Sequence, residues 1–238
     1  MTHPTRRSYD LLLENIEADL RSGAIKLGDQ LPGERTLAET YGISRASVRE
    51  GIRILDAMGV LRSSSGSGPK SGAIIVSEPS TGLSSALRLH MASSRLPVAD
   101  IVQTRILLET WAAQSAAALP PSDTQREAMA AAAALLAAMD APDIDREAFH
   151  LLDARYHVVL SSLAGNAVIE TMMASLSGAI SGYVRNAVDG MENWPRLLTE
   201  LRIQHHGIHD AVASREGERA AGLLREHIEW FYAQIPDA

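Results

Sequence analysis

Hydrophobic residues in the first third of the chain recur at helical spacing in two short runs that a tight turn separates. The first run and turn share an apolar side made of Leu37, Ala38, Tyr41 and Ile43. The second run has apolar residues at spacings of four, three and three, namely Val48, Ile52, Leu55 and Met58. This spacing predicts one buried stripe along a helix. Gly42 permits a left-handed turn between the runs, and Ser44 suits the N-cap of the second helix.

Arginines follow a second periodicity on the predicted second helix. Arg45, Arg49 and Arg53 recur every four residues, away from the apolar stripe. Guanidinium groups in a row suit guanine edges and phosphates, although a basic helix face is often merely solvated. Residues 60–62 and 73–76 then predict two short strands around a Gly/Ser-rich turn. The whole stretch predicts a winged helix-turn-helix, which is a DNA-binding element.

Beyond residue 76 apolar residues recur every three or four positions in six long runs. The runs cover residues 100–119, 123–139, 145–163, 168–188, 194–214 and 216–235. No strand pattern follows residue 76, so the fold class expected is mainly α, with an antiparallel bundle of six or seven helices that leaves ligand space between facing helices. We expect a DNA-binding domain at 1–76, a linker with a first helix at 77–96 and an effector-binding and dimerisation domain at 97–238. The Pro- and Gly-containing residues 77–82 are the expected hinge.

Composition narrows the class of protein. The chain has 238 residues, 46% of them hydrophobic, and no cysteine, which excludes disulfides and thiolate metal sites and fits a reducing cytosol. We find no apolar run near the roughly 20 residues of a membrane span and no signal-peptide core, so a cytoplasmic protein without a membrane partner is expected. The net charge of -7 is unevenly distributed along the chain. Residues 1–76 hold 10 Lys/Arg and 9 Asp/Glu, whereas residues 77–238 hold 12 and 20. Within the first range, residues 44–70 hold 5 Lys/Arg and 2 Asp/Glu. The predicted DNA-reading surface is therefore locally positive.

Histidines and one aspartate form a second pattern. Asp153 and His157 are four apart on one predicted helix and point the same way, and His205 and His227 lie on two later helices. Three imidazoles and a carboxylate can hold a divalent cation with coordination sites left open. Isolated histidines are more often surface or core residues. His150, His206 and His209 lie nearby, so the spacing alone does not select a ligand set.

The segment LPGERTLAETYGISRASVRE resembles the DNA-binding signature of the GntR family, and the preceding LLLENIEADLRSGAIKLGD resembles that family's first helix. The resemblance covers residues 8–76. Two residues depart from it: Leu27 stands where a proline is common, and Gly51 stands where an alanine is usual. The glycine lowers the helix propensity by up to about 1 kcal/mol relative to alanine. The resemblance implies DNA contacts by residues of the two helices and the wing, namely Arg35, Ser44, Arg45, Ser47, Arg49, Gly66 and Lys70.

The segment DARYHVVLSSLAGNAVI resembles the FCD ligand domain of FadR-type regulators, over roughly residues 97–232. In that domain an Asp and a His four apart bind metal with two further histidines, one early in the penultimate helix's apolar pattern and one 22 residues later. The resemblance therefore implies the metal ligands Asp153, His157, His205 and His227 and makes His150, His206 and His209 flanking residues. Zinc is the expected metal, and nickel or manganese suits the same ligand set.

Arg105 and Glu109 match an arginine and a glutamate near the start of the FCD domain. Arg105 is expected to bind a carboxylate of a small organic acid, with Arg185 as a weaker candidate. The alternative is an ion pair between Arg105 and Glu109, which are four apart on a helix. The wing and the LLETWAA helix most resemble actinobacterial lactate-responsive repressors, which implies lactate or a similar hydroxy acid as the effector.

These features predict a ligand-responsive transcriptional regulator, a repressor, and not an enzyme. One short helix and a wing contact little DNA, so we expect a homodimer on a palindromic operator. Effector binding would act through the hinge at 77–82. Two alternatives stay open: a metal-dependent enzyme whose metal activates water, and a DNA-binding dimer in which the metal is purely structural.

Overall fold

The structure, a computed structural model, describes residues 9–64, 72–120, 122–189, 191 and 193–235. Two of the residues predicted to contact DNA, Gly66 and Lys70, lie outside the described residues. The described chain forms ten helices and one two-stranded sheet, which confirms the mainly α fold class. It divides into two compact units, Met1–Leu83 and Ser84–Ala238.

The first unit contains three helices followed by a β-hairpin. The elements are α1 (Asp10–Ser22), α2 (Glu34–Tyr41), α3 (Arg45–Ala57), β1 (Leu61–Ser64) and β2 (Gly72–Ile75). The strands are antiparallel, with Leu61 opposite Ile75. Their apolar residues join those of the helices in one core, made of Leu12, Ile16, Leu31, Leu37, Val48, Leu55, Leu61, Ala73 and Ile75. A helix-turn-helix with a wing is therefore the architecture of this unit.

The turn between α2 and α3 follows the sequence prediction. Gly42 has φ 65°, the left-handed conformation in which a glycine avoids the clash of a Cβ atom. Ser44 is the N-cap of α3, and its side chain accepts a hydrogen bond from the Ser47 backbone N–H at 3.1 Å. The predicted stripe is wrong at Met58, which is 50% exposed because α3 ends at Ala57.

Gly51 lets two helices of this unit approach closely. A Cβ atom built on Gly51 would lie 2.5 Å from Cδ2 of Leu12, which is fully buried on α1. Such a separation is far below van der Waals contact, so an alanine would require the Leu12 side chain or the helix that bears it to move. The lower helix propensity of glycine at this position is thus accompanied by tighter packing of α1 on α3.

The second unit is a bundle of helices joined by short loops. Its helices are α5 (Val98–Ala118), α6 (Asp123–Met139), α7 (Arg146–Ser162), α8 (Ala167–Asp189), α9 (Trp194–Ala213) and α10 (Gly217–Ala233). Each begins and ends within a few residues of its predicted run. A capping box at Ser122 and Gln125 starts α6, and the Asp145 side chain caps α7. No strand follows Ile75 in the described ranges.

A further helix, α4 (Pro79–Ala92), contains the point at which the chain divides into its two units. Part of the segment expected to be a hinge, residues 79–82, is therefore helical. Whether residues 77–82 act as a hinge stays a prediction, as do the domain boundaries expected from the sequence.

Among the described helices, α8 is long and apolar enough to cross a membrane by length and composition. The sequence pattern predicts no apolar run of this length, so α8 is longer and more apolar than expected. Of its most apolar window, 39% is buried against other parts of the protein, and Met173, Leu176 and Ile180 are core residues. Core helices of globular bundles meet the same criterion, so α8 is weak support for a membrane span.

Candidate metal and effector site and candidate DNA-binding surface

The arginines predicted to contact DNA are exposed, and each is paired with a glutamate. Arg49 donates to both carboxylate oxygens of Glu34, at 3.2 and 2.9 Å, and Arg45 lies 4.0 Å from the same group. The hydrogen bond from Arg49 lowers the pKa of Glu34. Arg35 pairs with Glu39 at 3.1 Å. Exposed ion pairs of this kind are weak, so a phosphate or a guanine edge can replace the glutamates.

Ser44 and Ser47 lie at the N-terminus of α3, on either side of Arg45 in the chain. Their hydroxyl groups are hydrogen-bonded to each other at 2.8 Å, and Ser44 also caps the helix. Ser44 therefore has a structural role that is independent of any DNA contact. The backbone N–H groups of a helix N-terminus can in general bind an anion such as a phosphate.

The structure brings together the four residues that the resemblance implied as metal ligands. Asp153 and His157 lie on α7, His205 on α9 and His227 on α10. One nitrogen or oxygen from each residue lies within 4.8 Å of the others. The three histidines are buried, with 1%, 0% and 4% of their surface exposed. Three rigid helices thus place one carboxylate and three imidazoles around a common point, as a mononuclear metal site requires.

Neighbouring side chains determine which nitrogen of two histidines faces that point. Nδ1 of His157 is hydrogen-bonded to the carboxylate of Glu109 at 2.5 Å, and Nδ1 of His227 to the amide oxygen of Gln204 at 2.8 Å. Both acceptors require a proton on Nδ1, so Nε2 of each neutral ring carries a lone pair. These Nε2 atoms lie 3.2 Å apart. Two lone pairs at this distance repel each other unless a proton on one Nε2 forms a hydrogen bond between the rings or a metal ion lies between them.

Asp153 and His205 also lie close to each other. Oδ1 of Asp153 lies 2.9 Å from Nε2 of His205, yet neither ring nitrogen of His205 has a hydrogen-bond partner among the described residues. The ring is therefore poorly aligned for the hydrogen bond that this short contact allows, and a metal ion at a third position would take a lone pair from each atom. Buried polar atoms without partners are rare in proteins, and a metal ion at that position would satisfy them.

Burial and mutual charge set the protonation of the cluster. Burial alone would raise the pKa of Asp153, but the three imidazoles hold it well below its usual range. Burial lowers the pKa of His205, and burial together with the other two imidazoles lowers that of His227 further. The carboxylate is thus charged and these two rings are neutral at neutral pH, which are the forms that bind metal.

A cavity of about 300 Å³ adjoins the cluster, between α5, α7, α8 and α10. Asp153, His157 and His227 line one end, and Arg105 lies beside them. Apolar side chains such as Ile180, Val184 and Ile228 form the walls. An apolar cavity with a few converging polar groups is typical of a small-molecule site.

Arg105 is buried and takes part in the hydrogen-bond network behind the cluster. Its Nε donates to Glu109 at 3.0 Å, and one terminal nitrogen donates to the Tyr232 hydroxyl at 3.3 Å. Burial lowers the pKa of Arg105, but Glu109, Tyr232 and Asp153 raise it above its usual range, so the guanidinium stays charged. The ion pair with Glu109 is therefore present, and the same guanidinium also lines the cavity.

The other residues considered from the sequence take different positions. Arg185 lines the cavity but is exposed, 3.4 Å from Glu147. His206 is exposed and pairs with Asp140, and His209 lies 3.7 Å from Asp210, so neither belongs to the cluster. His150 lines the cavity. The contacts of Glu109 and Gln204 with the histidines were not predicted, since nothing in their spacing indicates which later helix they meet.

Comparison with known proteins finds a matching family model for each of the two units. Residues 8–70 match the gntR family of bacterial regulatory proteins, and residues 100–229, more than half of the chain, match the FCD domain. The chain belongs to the GntR family, with an FCD domain. It is therefore a transcriptional regulator with a DNA-binding helix-turn-helix and a domain for a small-molecule effector. The proteins of this family that it matches are regulators rather than enzymes, as the sequence predicted.

Several relatives match the GntR-family chain along most of its length. The Glc operon transcriptional activator of Escherichia coli (strain K12) is 25% identical over 100% of this chain and 92% of its own. Another protein of that strain, provisionally named as the regulatory protein of the L-lactate dehydrogenase operon, is 25% identical over 97% and 87%. The transcriptional regulator LutR of Bacillus subtilis (strain 168) is 26% identical over 88% and 92%.

A solved structure agrees with the fold. The Streptococcus agalactiae GntR structure superposes with a TM-score of 0.62 at 22% identity, and the match covers 95% of this chain and 98% of the other. At this level of identity the likeness concerns the fold alone.

Proposed function

We propose that this GntR-family regulator is a cytoplasmic repressor that binds a palindromic operator as a homodimer and senses a small hydroxy acid in a metal-containing pocket. The pair of Nε2 atoms on His157 and His227 carries the proposal, because both Nδ1 atoms are engaged and the two lone pairs face each other at 3.2 Å. A divalent metal held by these two histidines with Asp153 and His205 would remove the repulsion.

The residues present fit such a metal. Asp153, His157, His205 and His227 would hold it, and we favour zinc, with nickel or manganese suited to the same nitrogen and oxygen ligands. Glu109 and Gln204 would orient two of the imidazoles, because each bonds to Nδ1 and leaves Nε2 turned toward the metal. A bound metal would act as a Lewis acid that attracts the carboxylate or hydroxyl oxygens of the effector.

Arg105 is the residue that we assign to the effector's carboxylate. Its guanidinium is buried, charged and part of the cavity wall beside Asp153 and His227. Guanidinium groups have donors left after a single ion pair, so the bond to Glu109 orients Arg105 without exhausting it. Arg185 is the second effector candidate, at a more exposed part of the cavity.

Lactate is the effector that we favour among short hydroxy acids. Its carboxylate and hydroxyl suit a metal and a guanidinium placed side by side. The name of one Escherichia coli relative connects that protein with the L-lactate dehydrogenase operon, which supports the same choice here.

In the first unit, we propose that Arg45 and Arg49 bind base edges or phosphates, together with Arg35, Ser44 and Ser47. Their exposure and weak ion pairs support this assignment. Gly66 and Lys70 would add wing contacts, the lysine to phosphate. Binding of the acid would act through residues 77–82, and allosteric couplings of this kind are typically about 1 to 3 kcal/mol, enough for a roughly 5- to 150-fold change in operator affinity.

Titration calorimetry with L-lactate separates this proposal from its alternatives. The protein should bind the acid saturably when loaded with zinc and lose this binding when a chelator has removed the metal. Consumption of the acid would indicate an enzyme, and no binding to the metal-loaded protein would indicate a structural metal.

A further inference from the structure

Two polar side chains of the cavity have buried atoms without hydrogen-bond partners among the described residues. They are Nε2 of His150 on α7 and Oγ of Ser177 on α8. Other serines on α8 behave differently: Ser175 donates to the carbonyl of Thr171, and Ser181 to that of Gly178. Buried polar atoms are nearly always bonded, so these two groups, on residues that line one cavity, have hydrogen-bonding capacity that the described residues leave unused. Both atoms are covered by neighbouring atoms, so a small side-chain rotation would bring each of them to an occupant of the cavity.

His150 and Ser177 lie at different distances from the metal cluster. His150 precedes Asp153 by three residues and His157 by seven, or about 4.5 and 10.5 Å along α7. Arg185 lies beside Glu147, with 3.4 Å between their charged atoms, and this contact gives the antiparallel alignment of α8 on α7. Ser177 is eight residues before Arg185, about 12 Å along α8, which places it level with Asp153 and His157.

The cavity is larger than lactate requires. Its volume of about 300 Å³ reaches the range of roughly 300 to 1,000 Å³ that is typical of sites for larger small molecules. Ile180, Val184 and Ile228 supply apolar walls. An acid that reached from the metal cluster to His150 would contact these walls with its carbon chain.

We propose that the pocket also accepts, and binds more tightly than lactate's simple homologues, hydroxy acids with a second hydrogen-bonding group at the far end, which His150 binds, while Ser177 binds the end held at the metal. This inference rests on the proposed function, since the metal and Arg105 hold the first end. His150 thus sets the length and polarity of the acids that the protein accepts, and Ser177 contributes to all of them.

Matched acids test the inference with full-length, zinc-loaded protein in titration calorimetry. The acids 2-hydroxyglutarate and 2-hydroxypentanoate have the same carbon chain, and only the first ends in a second polar group. The parent protein should bind 2-hydroxyglutarate about 2- to 10-fold more tightly, the contribution of one hydrogen bond. His150→Phe keeps an aromatic ring next to Trp194 and Phe231 and should remove this preference. L-lactate, which has no second group for His150, measures any general effect of the substitution on the cavity.

Ser177→Ala should weaken all three acids by a similar factor, about 2- to 10-fold. Ser181→Ala is the matched control, because Ser181 lines the cavity but its hydroxyl is already bonded to the Gly178 carbonyl. His150→Gln should recover part of the preference, since its amide can hydrogen-bond. Zinc content equal to that of the parent shows that each variant is folded around the metal.

The outcomes separate this inference from the proposed function. If lactate binds only with zinc present, but the parent shows no preference or His150→Phe keeps it, this inference alone is wrong. If no acid binds the zinc-loaded parent, the proposed function and this inference both fail.

Discussion

The two regions that carry the proposed functions hold their charges in opposite ways. On the helix-turn-helix, Arg35, Arg45 and Arg49 are exposed, and their glutamate partners are held by weak surface ion pairs. In the bundle, Arg105, Glu109 and His157 are buried in one continuous hydrogen-bond network. Surface pairs can exchange partners at little cost, which suits contact with varied DNA. A buried network keeps one geometry, which suits recognition of one metal and one small ligand.

The same contrast predicts how each region responds to substitution. Removing an exposed arginine leaves a solvated glutamate, so only DNA binding should change. Removing a member of the buried network leaves a charge or polar atom without its partner. We therefore expect the largest effects at the metal cluster and smaller ones at the DNA-binding surface.

Loss of one cluster histidine should have the largest effect. His227→Ala should abolish stoichiometric metal binding, because it removes a ligand and leaves Gln204 without its partner. Gln204→Leu should weaken metal affinity about 10- to 100-fold, the usual effect of losing a group that orients a ligand. Elemental analysis after dialysis against zinc measures both. His206→Ala, an exposed histidine outside the cluster, should retain full metal; full metal in His227→Ala would refute the ligand assignment.

Arg105→Ala should abolish the response to acid without abolishing operator binding, because the DNA-binding unit is untouched. Loss of a buried ion-pair partner should also destabilise the second unit by about 3 to 5 kcal/mol. Gel-shift titrations with L-lactate compare the release midpoints. Arg105→Gln is the control, since its amide can still donate to Glu109 but lacks the charge for a carboxylate. Equal midpoints for the parent and Arg105→Ala would leave Arg105 with a purely structural role.

Arg49→Ala should weaken binding to the specific operator by about 1 to 3 kcal/mol and relax base preference. Lys70→Ala should weaken binding to all sequences alike, because a lysine in the wing is expected to meet phosphate. Fluorescence anisotropy with operator and scrambled duplexes measures both variants. Unchanged selectivity in Arg49→Ala would contradict the assignment of α3 as the helix that reads bases.

The smallest effect should be on the pH dependence of the metal-free protein. The pKa values of His205 and His227 lie below the ordinary value of 6.5 in the folded state. Below that pH the unfolded chain takes up protons that the folded protein does not, so the free energy of unfolding should fall as pH drops from 6.5. Urea unfolding at several pH values measures this. The slope should be smaller in His227→Ala, and an unchanged slope would contradict the role of His227.

Sequence reasoning predicted the local features well, for physical reasons. Helical periodicity depends on burial of one face, so the limits of α5 to α10 were predicted within a few residues. Ser44 and Gly42 have chemistry that suits one position each, an N-cap and a left-handed turn. Met58 was wrongly assigned to the buried stripe. The apolar spacing continues to Met58, but the helix ends at Ala57.

Contacts between distant helices could not be predicted in the same way. Glu109 meets His157 across 48 residues, and Gln204 meets His227 across 23. The face of each helix follows from its own sequence, but its neighbours follow from how the whole bundle packs. The resemblance to the FCD domain supplied the ligand set, which spacing alone had left open.

The central claim is that Asp153, His157, His205 and His227 hold one divalent metal. Crystals of protein purified without chelator and loaded with zinc, measured at the zinc absorption edge, test it most directly. The account predicts one anomalous peak per chain, at about 2.0 to 2.2 Å from a nitrogen of each of the three histidines and an oxygen of Asp153. A peak at any other position, or no peak among these residues, would contradict it.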